Sequence, residues 1–74
     1  MRYIGEISSQ NISKDNIKWL VIEPDINKGT VGYHIFLHKN IDEPSVWDNW
    51  YPSLDTAFKL GEVYGLKKED WIVE

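Results

Sequence analysis

Asp48–Trp71, DNWYPSLDTAFKLGEVYGLKKEDW, signals one short helix at both ends and brackets it with tryptophans. Ser53 reads as the N-cap, because its hydroxyl can accept a bond from a free first-turn N–H, and Asp55 suits the positive end of the helix dipole. Leu54, Ala57, Phe58, Gly61 and Tyr64 fall on one stripe, widened by Leu60 and Val63. Gly65 stops the helix, and Leu66 is placed to make the hydrophobic contact of a Schellman-type cap. Gly61 is the odd residue, since a glycine inside a helix costs about 1 kcal/mol against alanine. On the buried stripe it would let the helix backbone lie close to a bulky sheet residue such as Trp19 or Tyr33. Beyond the cap, Lys67 to Asp70 reads as a polar turn, and Trp71-Ile72-Val73 as an optional short edge strand.

Working upstream, the chain turns from helical to strand periodicity. Val31 to Lys39 alternates cleanly: Val31, Tyr33, Ile35 and Leu37 share one face, while Gly32, His34, Phe36 and His38 share the other. Ile17 to Glu23 is a strand whose middle, Trp19-Leu20-Val21-Ile22, is apolar without interruption, which predicts burial on both faces. Pro24 lacks an N–H, so it ends that strand or sits where the ladder has already opened. Asn27-Lys28-Gly29 supplies turn chemistry for a hairpin between the two. Tyr3 to Ile7 forms a short first strand, with Ile4 on the face away from Tyr3, Gly5 and Ile7. Ser8 to Asn16 is a polar connector, and Asn40 to Pro52 reads as a long loop with two tryptophans. The expected fold is α+β: a three-stranded antiparallel meander followed by one helix on one face, in the order βββα, with a possible C-terminal strand.

Size and charge narrow the function classes. Seventy-four residues make one domain, 1–74, near the lower limit for a single core. The chain has no cysteine, so neither disulfides nor thiolate metal sites staple it. No apolar run is long enough to span a membrane, and MRYIGEIS lacks the apolar stretch of a signal peptide, so the expectation is a soluble, cytoplasmic protein with no membrane partner. The Asn11-Ile12-Ser13 sequon carries no weight without secretion. Residues 1–40 hold five Lys/Arg against four Asp/Glu, a balance of +1. Residues 41–74 hold three against eight, a balance of −5, and the total is −4. An acidic C-terminal half disfavours a nucleic-acid partner, whose phosphates call for clustered Lys and Arg, and suits a basic protein. A simply solvated surface is the plain alternative.

No constellation in the sequence calls for catalysis or a cofactor. His34 and His38 are four apart on a strand, which puts their Cα atoms roughly 13 Å apart, too far to share a zinc ion. Asp42, Glu43 and Asp48 could be read as acid–base carboxylates, but a polar loop offers neither burial nor a charged neighbour to separate their roles. Ser8, Ser9, Ser13, Ser45 and Ser53 lack a nucleophile-elbow context. The expectation is a non-enzyme. Trp47, Trp50 and Tyr51 are candidate interface anchors, because Trp and Tyr bury large rigid areas at low entropic cost. The plainer reading, favoured for Trp50 and Trp71, is that Trp50 and Tyr51 pack over the helix entry while Trp71 closes its far end; Trp47 reads as either core or surface. One helix covers one face of a sheet, so Ile4, Leu20, Ile22 and Phe36 would line the other, beside His34. An exposed apolar patch of that kind marks an interface unless the 40–52 loop covers it. The candidate partner-binding set is therefore Phe36, His34, Leu20, Ile22, Trp47, Asp42, Glu43 and Asp48.

Asp48 with Trp50, then Ser53, Ala57, Tyr64-Gly65-Leu66 and Trp71, resembles a pattern in small, largely uncharacterised bacterial proteins. There an Asp-x-Trp precedes a Ser-capped helix with an inward Ala, an aromatic-Gly-aliphatic stop and a final Trp. Some of these look like immunity proteins, which bind and block a cognate toxin, and the order of elements is loosely similar to HicB-type antitoxin domains. The resemblance covers about a third of the chain and implies the fold and a bacterial or phage setting. Gly61, where that pattern has Ala, is a departure. The resemblance implies a small non-catalytic inhibitor of a toxin, and the acidic C-terminal half adds that this partner would be basic. The alternative expectation, carried by the outer sheet face around Phe36, is a structural homo-oligomer with no toxin partner; a nucleic-acid-binding sheet is the least favoured.

Overall fold

A computed structural model describes residues 2–8, 10, 16–27 and 30–74, with the side chains of residues 26, 27, 30 and 31 left aside. The elements run β1 (Tyr3–Glu6), β2 (Trp19–Asn27), β3 (Thr30–His38), β4 (Trp47–Tyr51), α1 (Leu54–Val63) and β5 (Trp71–Val73). They form one five-stranded sheet in the order β4-β3-β2-β1-β5, antiparallel at every pairing. The fold is α+β, but with five strands rather than three. The difference lies in two places: Trp47–Tyr51 forms an edge strand where a loop was expected, and the optional Trp71–Val73 strand pairs with β1 at the opposite edge.

β2 is the central strand, which explains its unbroken apolar run. Leu20 and Ile22 are fully buried under the helix, and Val21, on the other face, is 3% exposed. β2 also runs past Pro24 to Asn27, with Pro24 opposite Tyr33. β1 pairs with β2 only from Trp19 to Ile22, so at Pro24 the ladder has already opened on one side and its missing N–H costs nothing there. Asn27 faces Thr30 across the hairpin; the Lys28 and Gly29 of the expected turn lie outside the described residues, as do the Val31 side chain, Ser9 and Asn11-Ile12-Ser13.

The core gathers Ile7, Ile17, Leu20, Ile22, Ile35, Leu37, Ala57, Leu66 and Trp71, with Tyr3, Tyr33, Tyr51, Leu54, Phe58, Leu60 and Tyr64 packed around it. Ser53 Oγ accepts the Thr56 N–H at 3.3 Å and starts α1. At the other end Gly65 takes φ 83°, the Leu66 N–H donates to Gly61 O and the Gly65 N–H to Glu62 O, each at 2.9 Å. That is the full Schellman pair. Val63 departs from the expected stripe: it is 78% exposed, beyond the edge of the buried face. Gly61 does approach a bulky residue, but that residue is Trp71 of β5, not Trp19 or Tyr33.

Candidate protein-binding surface

Cross-strand partners share a face, so the register sorts every strand residue. Leu37, Leu20, Gly5 and Trp71 form one row under the helix, and Ile35, Ile22 and Tyr3 another. Leu20 and Ile22 are therefore core residues, a correction to their expected place on the outer face. Ile4 and Phe36 do face outward, in a row that reads Asp48, Phe36, Val21, Ile4, Ile72 across all five strands. Ile4 and Val21 are buried at its centre, Phe36 is half-buried, and Asp48 and Ile72 at the two ends are exposed.

Charge follows the same division. The strands contain four acidic residues, Glu6, Glu23, Asp25 and Asp48, and the register puts all four on the outer face. No Lys or Arg lies within any of the five strands. Arg2, just before β1, meets Glu74 at 3.4 Å and is thereby balanced. Residues 40–58, which supply β4 and the turn before it, include Asp42, Glu43, Asp48 and Asp55 but no Lys or Arg.

β4 is where apolar exposure concentrates. Val46, Trp47 and Trp50 are among the large apolar residues left open, Trp47 at 54% and Trp50 at 41%. Trp47 is thus a surface residue on the helix side of the edge. Trp50 projects to the outer face, so it does not pack over the helix. Asp42 and Glu43 are exposed in the turn leading into β4, where the Glu43 carbonyl lies 2.9 Å from His38 Nδ1.

Trp50 is held in place rather than loosely displayed. Its indole lies over Gly32, where any Cβ would collide with the ring, and its Nε1–H donates to Asp25 Oδ2 at 3.2 Å. His34, opposite Trp50 on β3, brings Nε2 within 3.3 Å of the same carboxylate oxygen and stacks on Phe36 at a 5.8 Å centroid distance. Nε2 is thus the ring nitrogen that faces the carboxylate, and among the described residues Nδ1 is enclosed without a hydrogen-bond partner. Three strands are thus tied by side chains across one patch. Sequence reading picked out His34, Phe36 and Asp48 here but missed Asp25 and Gly32. Their only signal is the hairpin register, which sets Asp25 opposite Gly32.

Among the described residues no three His, Asp or Glu side chains gather as a metal set, and no helix is long and apolar enough to cross a membrane. A groove of about 300 Å³ beside α1, lined by Asp55, Phe58, Lys59, Glu62, Leu66, Lys68 and Trp71, mixes both charge signs and holds no nucleophile–base pair. Comparison with protein-family models, curated proteins and solved structures finds no match to this chain.

Proposed function

We propose that this protein is a small non-catalytic binding module that engages a basic protein partner through the outer sheet face and the β4 edge, in the manner of an immunity or antitoxin-type inhibitor. The observation that carries this reading is the segregation of charge. All four acidic strand residues share the outer face with the exposed Trp50, Trp47 is exposed on the helix side of the same β4 edge, and no strand Lys or Arg offsets the acids. Aromatic anchors ringed by like charge favour a partner of the opposite sign and speed its approach. The resemblance of Asp48–Trp71 to immunity-like bacterial proteins supports the same reading.

The test is an affinity capture from cells that express the protein, at low and moderate salt, run beside the triple variant Asp42→Asn, Glu43→Gln, Asp48→Asn. The expected outcome is a basic protein held by the wild type, lost as salt rises, and associating several-fold more slowly with the variant. A partner whose on-rate is the same for both proteins would remove the electrostatic argument.

The other reading is a structural homo-oligomer joined through the outer face. Phe36 and the exposed Ile72 favour it. Apposing two copies of a face bearing Glu6, Glu23, Asp25 and Asp48 opposes it, because like charges brought together across an interface are costly.

A further inference from the structure

Resting on that reading, we infer that the partner inserts a lysine or arginine side chain into a second hollow, at the corner where β1, β2 and β5 meet the C-terminal cap of α1. This hollow encloses about 300 Å³. Its apolar wall is made by Trp19, Leu66 and Ile72; the charged residues that line it are Glu6 and Asp70, and no described Lys or Arg does. Glu6 and Trp19 are direct cross-strand partners, so their side chains stand beside one another on the outer face. Ile72 joins them on that face from β5, where it is 64% exposed. Gly65, at φ 83°, turns the chain out of the helix and brings Leu66 to the wall. The two carboxylates are open to a guest. Asp70 Oδ2 accepts the Lys67 N–H at 2.8 Å, which fixes the side chain and leaves Oδ1 without a partner among the described residues. The Glu6 carboxylate is exposed and, among the described residues, has neither a hydrogen bond nor an ion pair.

This lining selects a guest with an apolar stem and a positive end. Lysine and arginine lay their methylenes along apolar surface and keep the charged head in a polar setting, which is the division found here. A neutral apolar side chain would cover Ile72 and the indole, but it would crowd water from two carboxylates and give nothing in return. A bare metal ion would meet two carboxylates and, among the described residues, no third ligand. The hollow also lies within reach of the partner already proposed. Glu6, Trp19 and Ile72 belong to the acidic outer face, and four inter-strand spacings, roughly 19 Å, separate β4 from β5. A protein lying across that face meets both ends of it.

The experiment uses the ¹⁵N-labelled full chain, titrated at low and physiological salt with capped Gly-Gly-Xaa-Gly-Gly peptides in which Xaa is lysine, norleucine or glutamine. Norleucine keeps the stem and removes the charge. The lysine peptide is expected to bind most tightly, moving the Trp19 indole N–H and the Gly65 and Ile72 amides most. Glu6→Gln, an exposed substitution, should weaken it about two- to fivefold at low salt, the scale of one solvent-exposed ion pair, and salt should shrink that difference. Ile72→Ser should weaken the lysine and norleucine peptides alike. Lysine and norleucine peptides that bind the hollow equally overturn the charged guest and leave the basic-partner reading standing. A lysine peptide whose shifts fall around Glu23 and Asp48, with the Trp19 indole unmoved, overturns the placement alone. A lysine peptide that binds no better than the glutamine control anywhere on the outer face overturns both.

Discussion

Trp71 occupies a slot that two glycines leave open. A Cβ on Gly61 of α1 would lie 2.5 Å from its Cζ2, and one on Gly5 of β1 would lie 2.7 Å from Leu66 Cδ1 and 3.1 Å from the Trp71 ring. Phe58 closes the remaining side at a 5.4 Å centroid distance. Gly61→Ala therefore sets about 1 kcal/mol of helix propensity gained against overpacking of a nearly buried indole, which typically costs 1–3 kcal/mol. We expect net destabilisation by urea unfolding, and recovery of most of it in the double variant Gly61→Ala, Trp71→Phe. A stabilised single variant would show that the indole has room to shift. The second glycine–tryptophan pair behaves differently, because Trp50 is still 41% exposed and can swing outward. Gly32→Ala should cost only about 1 kcal/mol and move the Trp50 indole N–H resonance as its bond to Asp25 breaks. Of these glycines only Gly61 stood out in the sequence, whereas Gly5 and Gly32 read as ordinary members of a strand face. Which tryptophan each serves depends on pairings between residues far apart in the chain.

At the scale of elements, the helix was legible at both ends, because caps are local chemistry and Ser53, Gly65 and Leu66 act within a few residues of themselves. Ser53→Ala should cost about 1 kcal/mol, a fall of roughly 4–8 °C in Tm for a domain of this size, measured by calorimetry. β3 was legible too, since it alternates. β2 was assigned to the wrong face, with Leu20 and Ile22 outward, because an unbroken Trp19-Leu20-Val21-Ile22 run gives no parity and a slip of one residue moves every side chain across the sheet. β4 was hidden for the opposite reason: as an edge strand it leaves Trp47, Asp48 and Trp50 exposed, so no apolar period marks it. Its usable signals were its aromatic content and the flanking Pro44 and Pro52. That edge is also guarded. The Trp50 N–H donates to Asn49 Oδ1 at 2.9 Å, so a backbone donor on the outer strand is already taken. Asn49→Val releases it and adds β propensity, and we expect concentration-dependent self-association by sedimentation velocity that the wild type lacks. An equally monomeric variant would place the protection in the prolines and Asp48 alone.

For the molecule as a whole, the sheet separates two surfaces that do different work. The helix side is filled with apolar side chains from β2, β3 and β5, and Tyr3 of β1 and Tyr51 of β4 border that core. The outer side carries the acids, and with them a consequence for assembly. A second copy could cover Phe36 and Ile72 only by bringing Glu6, Glu23, Asp25 and Asp48 of two chains together, and that repulsion is strongest at low ionic strength. We therefore expect the protein to sediment as a monomer in low salt at concentrations up to about 100 μM, the range in which a weak interface of standard size would already be populated. Screening weakens the repulsion, so any self-association should grow with salt, whereas attachment to a basic partner should fade with it. The two salt dependences have opposite signs. A dimer present in low salt, and abolished by Phe36→Asp in a chain that stays folded, would assign the outer face to self-assembly and leave the charge pattern as a solvated surface.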